Sequence, residues 1–273
     1  MRKLGSVVLG VALAACGPNG RDRDPGGDDD DGDVIDASTA PGVDAAVQTF
    51  VYAHTSSALY KVDPDTLAIT LVGNFTFTTG SDQITDIAID KAGMMIGISF
   101  NAVYRIDTST AAATRLSTGL SGLFNGLSFV PATQIGQTGD DVLVATRNSD
   151  GLVLRIDPAT GGTSQIGNMG AFSSSGDLVS VDGLGTLQTA DNGSGPDRLV
   201  RLAPNSFAAT TVGGDIGFAE IWGIAFWKDK VFGFTNGGQF ITIDPTTGAG
   251  TLVQANGPQW WGAAVTTLAP VIF

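Results

Sequence analysis

Cysteine, histidine and glutamate occur once each in this 273-residue chain, and 14 basic residues stand against 27 acidic ones. A lone cysteine, Cys16, makes no intrachain disulfide, so the fold must rest on its hydrophobic core alone. A lone histidine, His54, excludes a metal site of His and Cys ligands and nearly excludes a Ser-His-Asp triad. It lies in an alternating stretch with Val51 and Leu59 and reads as a surface or edge residue. The lone glutamate is Glu220, and no window carries sustained 3.6-residue periodicity, so the chain is poor in helix signals. The overall charge is −13. An acidic chain argues against nucleic acid or anionic lipid as partner of its folded part.

What is present begins with an address. Arg2 and Lys3 precede a short apolar run at 4–13, too short for a final membrane span. Leu13-Ala14-Ala15-Cys16 follows and resembles the lipobox of bacterial lipoproteins. That resemblance implies a signal peptide over 1–15, lipidation of Cys16 and membrane attachment through the lipid. Gly17, in place of aspartate, implies the outer membrane by the same likeness. Residues 17–46 then hold nine aspartates, six glycines and three prolines. Too little apolar surface is available there to offset chain entropy, so 16–47 reads as a disordered spacer. Such a coil reaches roughly 30 Å on average and about 100 Å at full stretch. Its run Asp28-Asp29-Asp30-Asp31 fails as an EF-hand: with Gly32 at the invariant glycine, Gly27 and Ser38 fall at ligand positions. No metal is expected.

From residue 48 onward the chain repeats itself. QFITIDPTTGAGTLVQA (239–255) reads as a strand, a tight turn and a strand, with Pro and Gly supplying the turn geometry. Related stretches start at Ala58, Ala102, Leu152 and Arg198. Their turn aspartates are Asp63, Asp107, Asp157 and Asp244, with Ala203 replacing one. The successive spacings are 44, 50, 46 and 41 residues, the period of a propeller blade. Innermost strands are expected at 84–90, 123–130, 177–182, 221–227 and 260–266, and second strands at 94–100, 142–147, 185–190 and 231–236. The first unit, 49–75, lacks an innermost strand, whereas 260–268 is an innermost strand alone. Joined, they complete one blade. The expected fold is all-β: a five-bladed β-propeller over 48–273, of four-stranded blades, closed by its N- and C-terminal strands.

Asp157-Pro158-Ala159-Thr160-Gly161 and Asp244-Pro245-Thr246-Thr247-Gly248 resemble the blade motif of quinoprotein-type bacterial propellers. The tryptophan of those repeats is missing, with Gln165 and Leu252 near its place, so the likeness supports the fold and no cofactor is expected. Function is read from the face opposite the uniform turns, where segments 74–83, 131–140, 168–176, 191–196 and 256–259 vary. Thr85, Asn125, Asp177, Trp222 and Trp261 occupy matching strand starts there, with Trp260 adjacent. Trp222, Trp260, Trp261, Asn125 and Asp177 are therefore the candidate ligand-binding residues, for a glycan or an envelope protein. Inter-blade packing of the tryptophans is the competing reading, and Trp227, in another register, reads as core. Two further classes stay open: a glycosidase using Glu220, Asp86 and Asp177, and a structural subunit of an envelope complex.

Overall fold

The structure is a computed structural model that describes residues 50–191 and 195–272. Cys16, the segment 1–15 and the spacer 16–47 lie outside the described residues. Apart from one 3-10 turn at Ala132–Ile135, every described element is a strand. The strands form five blades, and the fold is a five-bladed β-propeller. Blade I joins β21 (Gly262–Ala264) to β1 (Val51–His54), β2 (Ala58–Val62) and β3 (Ile69–Asn74). Blade II runs from β5 (Asp86–Ile89) through β6 (Met95–Ile98) and β7 (Val103–Ile106) to β8 (Ala112–Ser117). A short β4 (Thr76–Phe77) adds parallel to β8. Blade III is β9 (Phe124–Val130), β10 (Val142–Arg147), β11 (Leu152–Ile156) and β12 (Thr163–Asn168). Blade IV is β13 (Ser173–Val181), β14 (Gly185–Asp191), β15 (Arg198–Leu202) and β16 (Ala209–Asp215). Blade V is β17 (Ile221–Trp227), β18 (Lys230–Thr235), β19 (Phe240–Ile243) and β20 (Gly250–Gln254).

The ring closes as the unequal ends require. β21 pairs antiparallel with β1 through Tyr52 and Ala264, Ala53 and Ala263, and His54 and Gly262. Burial falls from axis to rim. β5 is buried at every residue, whereas β20 is exposed at all but its first. The core is accordingly a set of apolar layers between neighbouring blades. Leu59, Ile87 and Tyr104 fill one between blades I and II, and Val144, Leu178 and Phe207 fill another between III and IV.

The uniform turns lock the blades together. In each, the N–H of the fifth residue donates to the carbonyl of the first, as Gly248 does to Asp244 at 2.9 Å. That fifth residue has positive φ in all five turns: Leu67, Ala111, Gly161, Phe207 and Gly248. The turn seats against the outer strand of the blade before it. A Cβ at Gly73 would press on Thr110 O at 2.9 Å, and one at Gly213 would collide with Thr247 O. Glycine in the outer strand makes room for the next blade's turn.

Two expectations are corrected. Segment 131–140 connects the first and second strands of blade III, so it lies on the turn face. There Asn205 donates its N–H to Gln134 O at 2.7 Å. His54 is fully buried on β1 rather than at a surface or edge, because the closing strand β21 covers that side.

Candidate functional site

The innermost strands begin at the face opposite the turns, and their first residues surround a cavity of about 290 Å³. Thr85, Asn125, Ser175, Trp222 and Trp261 come from the strand starts of the five blades, with Leu123 and Phe124 beside Asn125. Phe100 and Asn148 come from loops joining second to third strands. Bulges aim these side chains. Register shifts fall opposite Asn125, between Ser174 and Leu178, and between Ile221 and Gly223. An extra residue there turns a side chain out of the sheet. The rings of Trp222 and Trp261 meet edge to face, centroids 6.0 Å apart. Phe100 and Leu123 are 49% and 60% exposed at the rim, whereas Phe124 is buried. Asn125 and Asn148 both donate to Ser174 O, at 3.3 and 3.0 Å. Asn125 Oδ1 is buried and has no partner among the described residues.

One level deeper, the axis is occupied by the side chains of Asp86 and Asp177 and the backbones of Gly126, Gly223 and Gly262, with Gly176 taken up in the β13 bulge. Three glycines around two aspartates reflect crowding: a Cβ at Gly262 would strike Asp86 Oδ1 and His54 Nε2. Asp177 Oδ1 accepts the Leu178 N–H at 2.7 Å, and its Oδ2 accepts those of Ile224 at 3.0 Å and Ala263 at 3.2 Å. Asp86 accepts the Ile87 N–H at 2.8 Å. Burial raises both carboxyls well above the usual range, and the neighbouring Asp177 raises Asp86 further. Burial out of water disfavours the charged form of both groups. His54 Nε2 stands 3.9 Å from Asp86 Oδ1. Its Nδ1 donates to Thr55 O at 2.8 Å, and burial pushes the ring's pKa down to about 4, so it is neutral.

The cavity thus brings together Trp222, Trp261 and Asn125, and the structure places the other two candidates elsewhere. Asp177 lies one level below the strand starts, two residues past Ser175 and fully buried, because the bulge in β13 shifts Ser175 into the expected place. Trp260 is 1% exposed, packed edge to face against Tyr60 at 5.1 Å and Phe234 at 5.4 Å, so for this ring the packing reading holds. Trp227 is partly buried and donates Nε1–H to Asp65 Oδ1 at 3.3 Å on the turn face. The sequence reading missed Phe100, Leu123, Phe124, Asn148 and Ser175. Phe100 and Asn148 follow second strands, and loops at that point share the face of the strand starts, which was the available signal. A wider depression of about 600 Å³ on the turn face is lined by Asp141, Arg155, Asp157 and Thr160. It lies along one blade's turn and lacks the convergence of five strands.

An acidic group flanks the cavity. Asp197 Oδ2 accepts the Ile221 N–H at 2.8 Å and also bonds Ser175, a cavity residue. Burial pushes its carboxyl up to about 6, and Asp191 and Glu220 add to the rise by their charge.

No family model and no curated protein matches the chain. Solved structures do. A chain from work on the de novo evolutionary emergence of a symmetrical protein aligns with TM-score 0.51 at 16% identity, over 83% of this chain and 100% of that one. A chain of the nidogen/laminin complex aligns with TM-score 0.52 at 9% identity, over 80% of this chain and 98% of that one. TolB from Acinetobacter baumannii aligns at 0.45 and 16%, over 80% of this chain and 53% of TolB. At these identities the first two similarities establish the fold.

Proposed function

We propose that this protein is a non-catalytic binding module: an extracytoplasmic propeller, tethered through lipidated Cys16 and the 16–47 spacer to the outer membrane, that holds its ligand at the axial cavity. The carrying observation is convergence, since all five blades contribute to one aromatic-walled pocket with a few amide and hydroxyl groups. A concave, mostly apolar site with sparse polar anchors is the usual form of a ligand site. A glycan or an envelope protein presenting one small group suits a cavity of this size. The glycosidase reading is disfavoured because Asp86 and Asp177 are buried and bonded to strand N–H groups, where no substrate reaches them. Polysaccharide cleavage that disappears in Glu220→Gln would reverse that judgement. A scaffold role without a small ligand would show as co-purification with one envelope protein that Trp222→Ala and Trp261→Ala leave intact. The binding reading is tested by calorimetric screening of glycans and small envelope-derived molecules. It expects saturable binding that both variants weaken while the fold melts as before.

A further inference from the structure

We propose that the cavity takes a small alkylated ammonium ion, a reading that rests on the cavity being the ligand site. Four aromatic rings line it: Phe100, Phe124, Trp222 and Trp261. Ring faces attract cations, and tryptophan does so most strongly. No lysine or arginine side chain lines the wall, and neither does an acid that would form a contact ion pair. The nearby guanidinium groups are already paired, Arg147 with Asp150 at 2.6 Å and Arg198 with Asp215 at 2.9 Å. Acidic groups stand behind the wall on two sides. Beneath the floor is the axial carboxyl pair; beside Ser175 and Trp222 are Asp197 and the exposed Glu220. A low-dielectric pocket with acidic groups around it and no cationic side chain in its wall favours cations over anions.

Alkylation follows from the polar inventory. A primary ammonium brings three N–H donors that lose water on entry, and the wall offers few free acceptors, Asn125 Oδ1 among them. Stripping unmatched donors of water is costly. Methyl groups remove that demand and fill the space between the rings. The cavity stands at the small end of ligand sites, which suits a trimethylammonium head with a short polar tail.

The test titrates the full chain with choline and with its uncharged isostere 3,3-dimethylbutan-1-ol, by calorimetry at low salt. Choline is expected to bind saturably, at least about tenfold more tightly than the isostere. Trp222→Ala and Trp261→Ala should each weaken it about tenfold or more. Glu220→Gln, at an exposed site, should weaken choline about twofold and leave the isostere unchanged. Equal or tighter binding of the isostere would overturn the cationic ligand and keep the cavity as a site. Binding to phosphatidylcholine vesicles without binding of free choline would overturn a soluble ion as the ligand. If neither probe binds but a glycan does, and Trp222→Ala abolishes it, the ammonium assignment fails and the cavity reading stands. If no compound responds to either tryptophan variant, both fall.

Discussion

His54 and Asp197 titrate over the same range of pH in opposite directions. Asp197 has a folded value of about 6 against an ordinary 3.8. Its contribution therefore favours the fold at low pH and is lost as pH rises through about 6. His54 has a folded value of about 4 against 6.5. Its contribution is present above 6.5 and is lost as pH falls toward 4. Each amounts to on the order of 3 kcal/mol at the far end of its range. Asp197→Asn removes the first alone, so relative to wild type the variant should gain melting temperature between pH 4 and pH 7. A difference that stays constant across that range would refute the buried-carboxyl account. Asp177→Ala orphans three buried strand N–H groups and should cost at least about 3 kcal/mol. The tryptophans separate by burial: Trp260→Ala should cost roughly 3–5 kcal/mol, and Trp222→Ala and Trp261→Ala under about 1.5 kcal/mol each, as partly exposed rings. Three thermal melts decide this, and equal losses would contradict the division of one packed ring from two cavity rings.

The turn is the element that repeats most faithfully. Asp63, Asp107 and Asp244 each use Oδ1 to accept the N–H groups two and three residues on, at 2.7–3.0 Å, which holds these carboxyls below their usual range. Asp157 does the same for the N–H of Ala159 at 2.8 Å. The exception explains itself. At Ala203 no side-chain acceptor exists, and the N–H of Asn205 goes to Gln134 O from the neighbouring blade's segment 131–140. Asp244→Ala should therefore cost about 1 kcal/mol, as loss of a comparable cap does, whereas Ala203→Asp should add nothing measurable. A clear gain from Ala203→Asp in denaturant melts would show that Gln134 does not substitute for the cap. Gly248 has φ +74° and lies against Val212 O of the preceding blade. Gly248→Val should cost well over about 1 kcal/mol, through backbone strain and collision together.

At the scale of the whole molecule, stability depends on a ring that must close. Deleting 260–273 removes β21 and leaves β1 as an open edge, so aggregation or loss of cooperative unfolding is expected. A soluble truncation with unchanged melting temperature would contradict the closure. The end of the chain adds a second fastening on the turn face. Asp182 donates its N–H to Thr267 O at 2.9 Å, Thr267 Oγ1 donates to Asp141 Oδ2 at 2.7 Å, and Ile272 bridges to Lys228 at 3.0 Å. These bonds tie blades IV, III and V, so deleting 266–273 alone should lower the melting temperature yet keep a single transition. The tether is separately testable. Cys16→Ser should move the chain from the detergent to the aqueous phase of an extraction, and wild-type protein already in the aqueous phase would refute lipidation.

Five blades, their four-strand order and the paired termini were legible in the chain because strand alternation and turn chemistry are local. A period near 45 residues with mismatched ends admits one economical closure. The face carrying Trp222, Trp261 and Asn125 was legible for the same reason, as matching strand starts share an end of the ring. What lay beyond local pattern was depth. Asp177 and Trp222 differ by one register step, and a bulge in β13 decides that one plugs the axis while the other walls the cavity. Trp260 and Trp261 are neighbours in sequence, yet alternation sends one ring into the layer with Phe234 and the other to the mouth. His54 looks like an edge residue until the far end of the chain pairs over it. Strand identity is a property of a few consecutive residues; burial is set by what the rest of the ring brings to the same point.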